Sequence, residues 1–262
     1  MSVVCESDSE RCAQIKRTIV ASATVVIAVT LVALFVLMLP VAKGWRGSVN
    51  DRQKRADAAA VHVAAGDAAL AAGLYEDALM EYVVATGLNP SDLSIRNRQS
   101  RARVLSIAFN PPLIDSVNLT EIRGEVAIVK AEFPEDAANA QVVAALLKFR
   151  EGLVTDAINM LNEIGADSSS AAVHLAKAIL YQHVPEFESS VAAEFDAALA
   201  ARPDDYRLQG IAGDYYLSAG DVQKGIDLIR KASVKVRNLN WLKTLSAFEV
   251  NSGDKDGASR DI

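Results

Sequence analysis

The sequence predicts an all-α protein in which a single N-terminal transmembrane helix precedes an α-solenoid of helical hairpins. Three observations lead to this fold class. No side chain between residues 18 and 42 is charged, the later sequence is rich in alanine, and a pattern of glycine, alanine and tyrosine recurs there at fixed spacing. Both cysteines, Cys5 and Cys12, lie in the N-terminal tail. The main domain must therefore fold by helix packing, without disulfides or thiolate-bound metal.

Length and charge narrow the possible classes of protein. The 262 residues suffice for one anchor and one repeat domain of ordinary size. The formal net charge is -6 and the isoelectric point is near 5.2. A protein that binds nucleic acid needs a basic face that displaces counterions from phosphates. We therefore expect no nucleic-acid partner.

The uncharged segment indicates a membrane span. Its core, VVIAVTLVALFVLMLPVA, would cover about 30 Å of hydrocarbon as a helix. The predicted domains are a tail (1–17), a transmembrane helix (18–42), a juxtamembrane spacer (43–57) and a repeat domain (58–262). A cleavable signal peptide is the alternative. The apolar run is too long for one, and Pro40-Val41-Ala42 is a poor cleavage site.

Flanking charges bear on the orientation of this helix. The Lys16-Arg17 pair abuts it directly, and both thiols lie on the same side, which suits a reducing cytosol. More basic residues follow the helix than precede it, which favours the reverse orientation. We expect a single-pass protein of a bacterial inner membrane with its repeat domain outside the cytoplasm. A cytoplasmic repeat domain is the alternative.

The stretch AVHVAAGDAALAAGLYEDALMEYVVATGLNP, residues 60–90, predicts a helical hairpin. Small residues such as Gly66 and Ala78 suit the points where two helix axes cross closely. Gly73 ends the first helix and Pro90 stops the second. The stretch resembles one unit of the tetratricopeptide repeat (TPR) family. The residues that keep the family spacing are Gly66, Gly73, Tyr75, Ala78, Tyr82, Ala85 and Pro90.

Further copies follow along the chain. A second clear copy keeps the same spacing at Gly213, Tyr216, Gly220, Gly225, Ile229 and Ala232. Two degenerate copies lie at 139–164 and 174–203. Between the first copy and these, residues 91–135 form a divergent hairpin, because Pro111 and Pro112 interrupt any continuous helix. The last 22 residues, from Trp241 onward, supply one more first helix, which caps the stack.

No catalytic, metal or cofactor site is predicted. His62 and His174 occupy the same repeat position, where the family packs a large side chain, so we interpret them as structural. His183 lies near a helix end and could face a groove or solvent. The histidines have no i, i+4 pairing and no cysteine partner for a metal ion. We therefore expect no enzymatic activity.

The TPR resemblance implies that the first helices of successive repeats line a groove that receives peptides or partner helices. The residues projected onto that groove are Val63, Asp67, Leu70, Val142, Leu146, Phe149, Arg150, Leu175, Ile179, Gln182, Asp214 and Leu217. This set is mostly apolar. The basic set with which some members clamp a C-terminal carboxylate is absent from it, so an amphipathic helix fits better.

Four arginines form the densest basic cluster of the chain. They are Arg96, Arg98, Arg101 and Arg103. Such a cluster could bind an acidic partner or anionic lipid. The alternative is an ordinary solvated helix face, since isolated surface charges contribute little.

These predictions favour a membrane-tethered protein-interaction scaffold or assembly factor, for a secretion, envelope-biogenesis or respiratory complex. The partners would be proteins, together with membrane lipid around the N-terminal helix. Two alternatives stay open. The layout is similar to that of YfgM-type translocon-associated proteins, which implies an accessory chaperone at the export channel. The chain could also be a permanent structural subunit of a large membrane complex.

Overall fold

The structure, a computed structural model, describes residues 50–164, 170–235 and 238–252. Its first helix, α1, covers residues 50–71. The helices that follow are α2 (Tyr75–Leu88), α3 (Leu93–Phe109), α4 (Leu119–Glu132), α5 (Ala137–Arg150), α6 (Val154–Asn162), α7 (Ala171–Tyr181), α8 (Val191–Ala201), α9 (Tyr206–Ser218), α10 (Val222–Ser233) and α11 (Leu239–Ser252).

The chain divides into two compact units, Met1–Ala58 and Ala59–Ile262. In the first unit, residues 50–58 are helical, and Gln53 Nε2 donates a hydrogen bond to Asp57 Oδ1 at 2.8 Å. In the second unit, the described helices pair in sequence order as five hairpins followed by α11. The first hairpin joins 59–71 of α1 to α2, and the fifth joins α9 to α10.

The turns inside the hairpins are of two kinds. In the first, third and fifth hairpins a glycine with positive φ follows the first helix: Gly73 (73°), Gly152 (79°) and Gly220 (89°). Only glycine adopts this conformation without strain, and it ends a helix cleanly. In the second and fourth hairpins, 3-10 turns begin at a proline instead and span Pro111–Ser116 and Pro185–Ser190.

Helix α3 lies at the centre of the second unit. Asp92 caps its start by accepting a hydrogen bond from Ser94 N at 2.9 Å. From Val104 to Ala108 every side chain is buried. The helix packs against α2, α4, α5 and α7, so it contacts three other hairpins besides its own partner. The main hydrophobic core, which extends from α3 to α10, forms around this helix.

Besides the packing of α3, a contact between distant parts of the sequence joins the first hairpin to the region where α8 ends and α9 begins. The guanidinium carbon of Arg202 lies 4.5 Å from the ring centre of Phe109 and 5.6 Å from that of Tyr75. Those two rings stack on each other at 5.0 Å. Arg207 forms an ion pair with Glu76 at 2.6 Å. Cation–π contacts and this ion pair therefore tie the start of α2 to the end of α8 and the first turn of α9, more than a hundred residues away.

Helix α11 covers the end of the array. Trp241 packs over Gly210 of α9, where a Cβ atom would come within 2.1 Å of the indole ring. Its Nε1 donates to Asp214 Oδ2 at 3.2 Å. Leu245 is buried against Ile226 and Ile229 of α10, within the same small cluster as Trp241. This arrangement agrees with a terminal helix that caps the stack.

The predicted fold class is corrected by these findings. No helix within 50–164, 170–235 or 238–252 is long and apolar enough to cross a membrane. A span needs about 20 predominantly apolar residues, whereas α2 to α11 have 9 to 17 residues each. The longer α1 carries Asp51, Arg52, Lys54, Arg55 and Asp57 in its first turns. The predicted segment 18–42 lies outside the described residues. Within the described residues, the prediction of a membrane-anchored fold in a bacterial inner membrane is contradicted, and the α-solenoid part alone is retained.

Candidate protein-binding surface

Three residues predicted to line the groove lie in the hydrophobic core. Val142, Leu146 and Leu175 are at most 1% exposed. They belong to one cluster with Val104 and Ile107 of α3. Because α3 packs across α5 and α7, it covers the face that a regular repeat array would leave open. These three predicted groove positions therefore lie inside the core.

Four other apolar positions of the predicted groove are half-buried by local contacts. Val63 packs on the cluster of Ala59, Ala85 and Ile95, and Leu70 packs on that of Ala78, Tyr82 and Ala102. Ile179 packs against the main core. Leu217 packs with Ile226 and Ile229, at the close crossing of α9 and α10. These side chains hold hairpins together and offer little area to a partner.

The polar groove positions are also engaged within the chain. Asp67 accepts a hydrogen bond from Tyr82 Oη at 2.6 Å and pairs with Arg98. Asp214 accepts from Trp241, and burial raises the pKa of its carboxyl. Arg150 is exposed, and its Nη1 donates to the carbonyl oxygen of Ile114 at 2.7 Å and to Asp115 Oδ1 at 2.6 Å.

The predicted basic cluster is largely neutralised. Arg98 pairs with Asp67, Arg101 lies 2.6 Å from Asp136 and 2.9 Å from Glu135, and Arg103 lies 2.5 Å from Glu121 and 3.2 Å from Glu125. Arg96 alone of the four has no ion pair with a described residue. Since these guanidinium groups join α3 to its neighbours, they form no free basic patch.

Two of the histidines form the same contact in two hairpins. His62 Nδ1 lies 2.7 Å from Glu81 Oε2, and His174 Nδ1 lies 2.6 Å from Glu194 Oε2. In each hairpin the pair joins the first helix to the second. The predicted structural role fits this geometry. The glutamate partners are not apparent from the sequence, because they lie 19 and 20 residues away on another helix.

The C-terminal ends of α5, α7 and α9 place five side chains at or near the surface. Phe149, at the end of α5, lies against His183 with ring centres 4.9 Å apart. His183 and Gln182 are exposed just after α7, and Ser218 is exposed at the end of α9. Tyr215 of α9 is half-buried and stacks on Phe195 at 4.8 Å. We call these five residues, Phe149, Gln182, His183, Tyr215 and Ser218, the helix-end surface.

A cavity of about 440 Å³ opens to solvent at this surface. It lies between the α7–α8 turn and the end of α9. The residues that line it are Gln182, His183, Val184, Pro185, Glu188, Val191, Tyr215, Ser218 and Ala219. The sequence analysis singled out Phe149, Gln182 and His183 but missed Glu188 and Tyr215. The second proline-led turn, at Pro185, was the available signal for a departure from the regular repeat.

A second cavity, of about 310 Å³, lies between the α1–α2 turn and residues 202–207. Its charged side chains are already paired: Arg202 lies 3.5 Å from Asp205, and Arg207 lies 2.6 Å from Glu76. We interpret this cavity as part of the contact that ties the first hairpin to the α8–α9 connection.

Two buried side chains near the core, Glu125 and Tyr216, have raised pKa values. Burial raises the pKa of Glu125 to about 7, despite the opposing effect of Arg103, and its Oε2 has no hydrogen-bond partner among the described residues. Burial and a hydrogen bond to Asp196 raise the pKa of Tyr216 to about 12. Neither group lines the cavity at the helix-end surface, so both shifts concern stability.

The described helices define a class of protein, the helical repeat proteins built from consecutive hairpins. The consecutive helical hairpins that the TPR resemblance implied are present in the described residues. No protein-family model and no curated protein matches the chain.

The chain is similar to a number of solved structures, among them the following two. One is a thermophilic TPR protein of Thermus thermophilus, at 17% identity and a TM-score of 0.45, over 71% of this chain and 98% of that one. The other is PilF of Pseudomonas aeruginosa, at 14% identity and a TM-score of 0.44, over 80% of this chain and 90% of that one.

Proposed function

We propose that this chain is a protein-interaction scaffold that binds a partner protein through the helix-end surface and carries out no chemistry of its own. A scaffold of this kind could hold subunits together while a larger complex assembles. The single observation that carries the proposal is the open cavity flanked by Phe149, His183 and Tyr215 at the ends of three consecutive first helices.

Several properties of this surface suit protein binding. Aromatic side chains in or beside pockets are frequent anchors of protein interfaces. Here they sit at the ends of helices that are packed into the main core, so little ordering is needed on binding. The lining mixes apolar groups with the polar side chains of Gln182, His183 and Ser218, which is the composition of an interface core with a polar rim.

The kind of partner follows from charge and shape. A net charge of -6 does not favour nucleic acid. The cavity is wide open rather than enclosing, whereas a small-molecule site buries most of its ligand. A segment of protein, such as an amphipathic helix with one side chain inserted, fits this surface better.

Site-specific photocrosslinking tests the proposal. A benzoylphenylalanine replaces the exposed Gln182 in the full chain, and a second variant carries it at the exposed Asn159 of α6 as the matched control. In an extract of the cells that make the protein, we expect one discrete adduct from position 182 and none from position 159. Equal labelling from both positions, or adducts from position 159 alone, would place the contact elsewhere.

A further inference from the structure

The cavity at the helix-end surface combines an apolar lining with negative electrostatic features. Val184, Pro185 and Val191 supply aliphatic side chains, and Tyr215 supplies an aromatic ring. Glu188 is the only carboxylate among the described lining residues, and none of them is a lysine or an arginine. Glu188 is exposed and forms no ion pair with a described residue.

Two helix C-termini also meet at this cavity. Helix α7 ends at Tyr181 and helix α9 ends at Ser218, and their C-cap residues, Gln182 and Ala219, both line it. The C-terminal end of a helix carries a partial negative charge. This holds here although the last carbonyl groups, such as those of Tyr181 and Leu217, accept hydrogen bonds from the residues that follow each helix. Two such ends beside one carboxylate create a site that favours a cation.

The geometry points to a partner that inserts a lysine or arginine side chain into this cavity. This inference rests on the proposed function and specifies the recognition chemistry of the same surface. The aliphatic stem of such a side chain would pack on Val184 and Pro185, and its cationic end would meet Glu188 and the α9 C-terminus. Tyr215 adds an aromatic ring against which a cation is stabilised. An acidic or purely apolar side chain would satisfy only part of this lining.

Short synthetic peptides that differ at one central residue test the inference. The full chain is titrated with a lysine peptide, its norleucine counterpart and its glutamate counterpart, and binding is followed by the NMR signals of the His183 ring. We expect saturable binding of the lysine peptide, about tenfold tighter than the norleucine peptide, which is the ratio expected for one charge-assisted contact. The glutamate peptide should bind least.

Two variants identify the carboxylate involved. Glu188→Gln should reduce the affinity for the lysine peptide to that for the norleucine peptide. Glu186→Gln, on the same turn but outside the lining, should leave it unchanged. Equal affinities for the lysine and norleucine peptides, an effect of Glu186→Gln as large as that of Glu188→Gln, or no saturable shift with any peptide would each overturn the inference. A crosslink from position 182 without lysine preference would overturn this inference alone and leave the proposed function standing.

Discussion

Gly66 of α1 lies directly against the ring of Tyr82 of α2. A Cβ atom on residue 66 would come 2.6 Å from Cε1 of the tyrosine. The ring cannot move aside freely, because it is fully buried and its hydroxyl donates to Asp67 at 2.6 Å. We therefore expect Gly66→Ala to lower the free energy of unfolding by about 1 to 3 kcal/mol, as overpacking usually does. Chemical denaturation of the full chain measures this change.

Gly124→Ala is the matched control for that prediction. Gly124 lies inside α4, and a Cβ atom there would meet nothing within 4 Å. Alanine is the better helix former, so the substitution should stabilise the chain by about 0.5 to 1 kcal/mol. If both alanine variants were stabilised equally, the α1–α2 contact described here would be wrong.

Because of Glu125, the free energy of unfolding should depend on pH. The dependence should fall between the ordinary pKa of a glutamate and the higher pKa of Glu125 in the folded chain. Burial raises the pKa of this carboxyl from 4.5 to about 7. A raised pKa of an acid means that the folded state binds the proton more tightly than the unfolded state. The resulting stabilisation is complete below pH 4.5 and is lost as pH rises through 7. Glu125→Gln mimics the protonated form, so its free energy of unfolding should match the parent's near pH 4 and exceed it by up to about 3 kcal/mol near pH 8.

Glu121→Gln is the control for this pH dependence. Glu121 shares Arg103 as an ion-pair partner with Glu125 but is exposed. It should show no comparable gain at high pH. A Glu125→Gln variant that is less stable than the parent at every pH would show that the ion pair with Arg103 outweighs the burial of the carboxylate.

Arg202 should connect the first hairpin to the rest of the array. Its guanidinium lies over the rings of Tyr75 and Phe109, so Arg202→Ala removes two cation–π contacts worth about 0.5 to 2 kcal/mol each. We expect faster amide hydrogen exchange in the first turns of α2. Arg202→Lys should restore only part of the protection, because an ammonium lacks the planar stacking face. Arg96→Ala, which breaks no ion pair with a described residue, should leave exchange in α2 unchanged.

Trp241 should leave its site when Gly210 is replaced. A Cβ atom on residue 210 would overlap the indole at 2.1 Å, and the α9 backbone around it is buried. In a Trp45→Phe background, Gly210→Ala should shift the emission of Trp241 to longer wavelength as α11 detaches. The α9–α10 hairpin should persist, because its close crossing at Gly213 and Gly225 does not involve Trp241. An unchanged emission spectrum would contradict the packing of α11 on α9.

Local sequence patterns were sufficient to predict the repeat hairpins. Gly66 and Ala78 were assigned to a helix crossing from their spacing, and the structure places both beside Tyr82, where α1 and α2 pack together. Gly73 was assigned to a helix end, and its positive φ agrees. These features depend on contacts between residues close in sequence, where the rules of helix packing and capping apply directly.

The positions of the candidate surface residues were harder to predict. Whether Val142 and Leu175 face a groove depends on where α3 packs, and no pattern within α5 or α7 contains that information. The ion pairs of the arginine cluster likewise join α3 to separate elements, as Arg101 does with Asp136. Projection from a regular repeat therefore failed where one helix departed from the regular arrangement.

The central claim is that the helix-end surface contacts the partner protein. Comparing the partner affinities of two variants tests this claim most directly. The partner recovered by crosslinking at position 182 is titrated against Phe149→Ala and Val142→Ala, with a melting curve for each variant. Both substitutions truncate side chains packed on the main core, but Val142 is 0% exposed, whereas Phe149 is half-buried beside the exposed His183.

We expect both variants to melt at lower temperature, since truncating a core side chain costs about 0.5 to 5 kcal/mol of stability. Measured well below the melting temperatures, Phe149→Ala should weaken partner binding by about 1 to 3 kcal/mol, and Val142→Ala should bind at the parent's strength. Full-strength binding by a folded Phe149→Ala variant, or equal losses in the two variants, would contradict the claim.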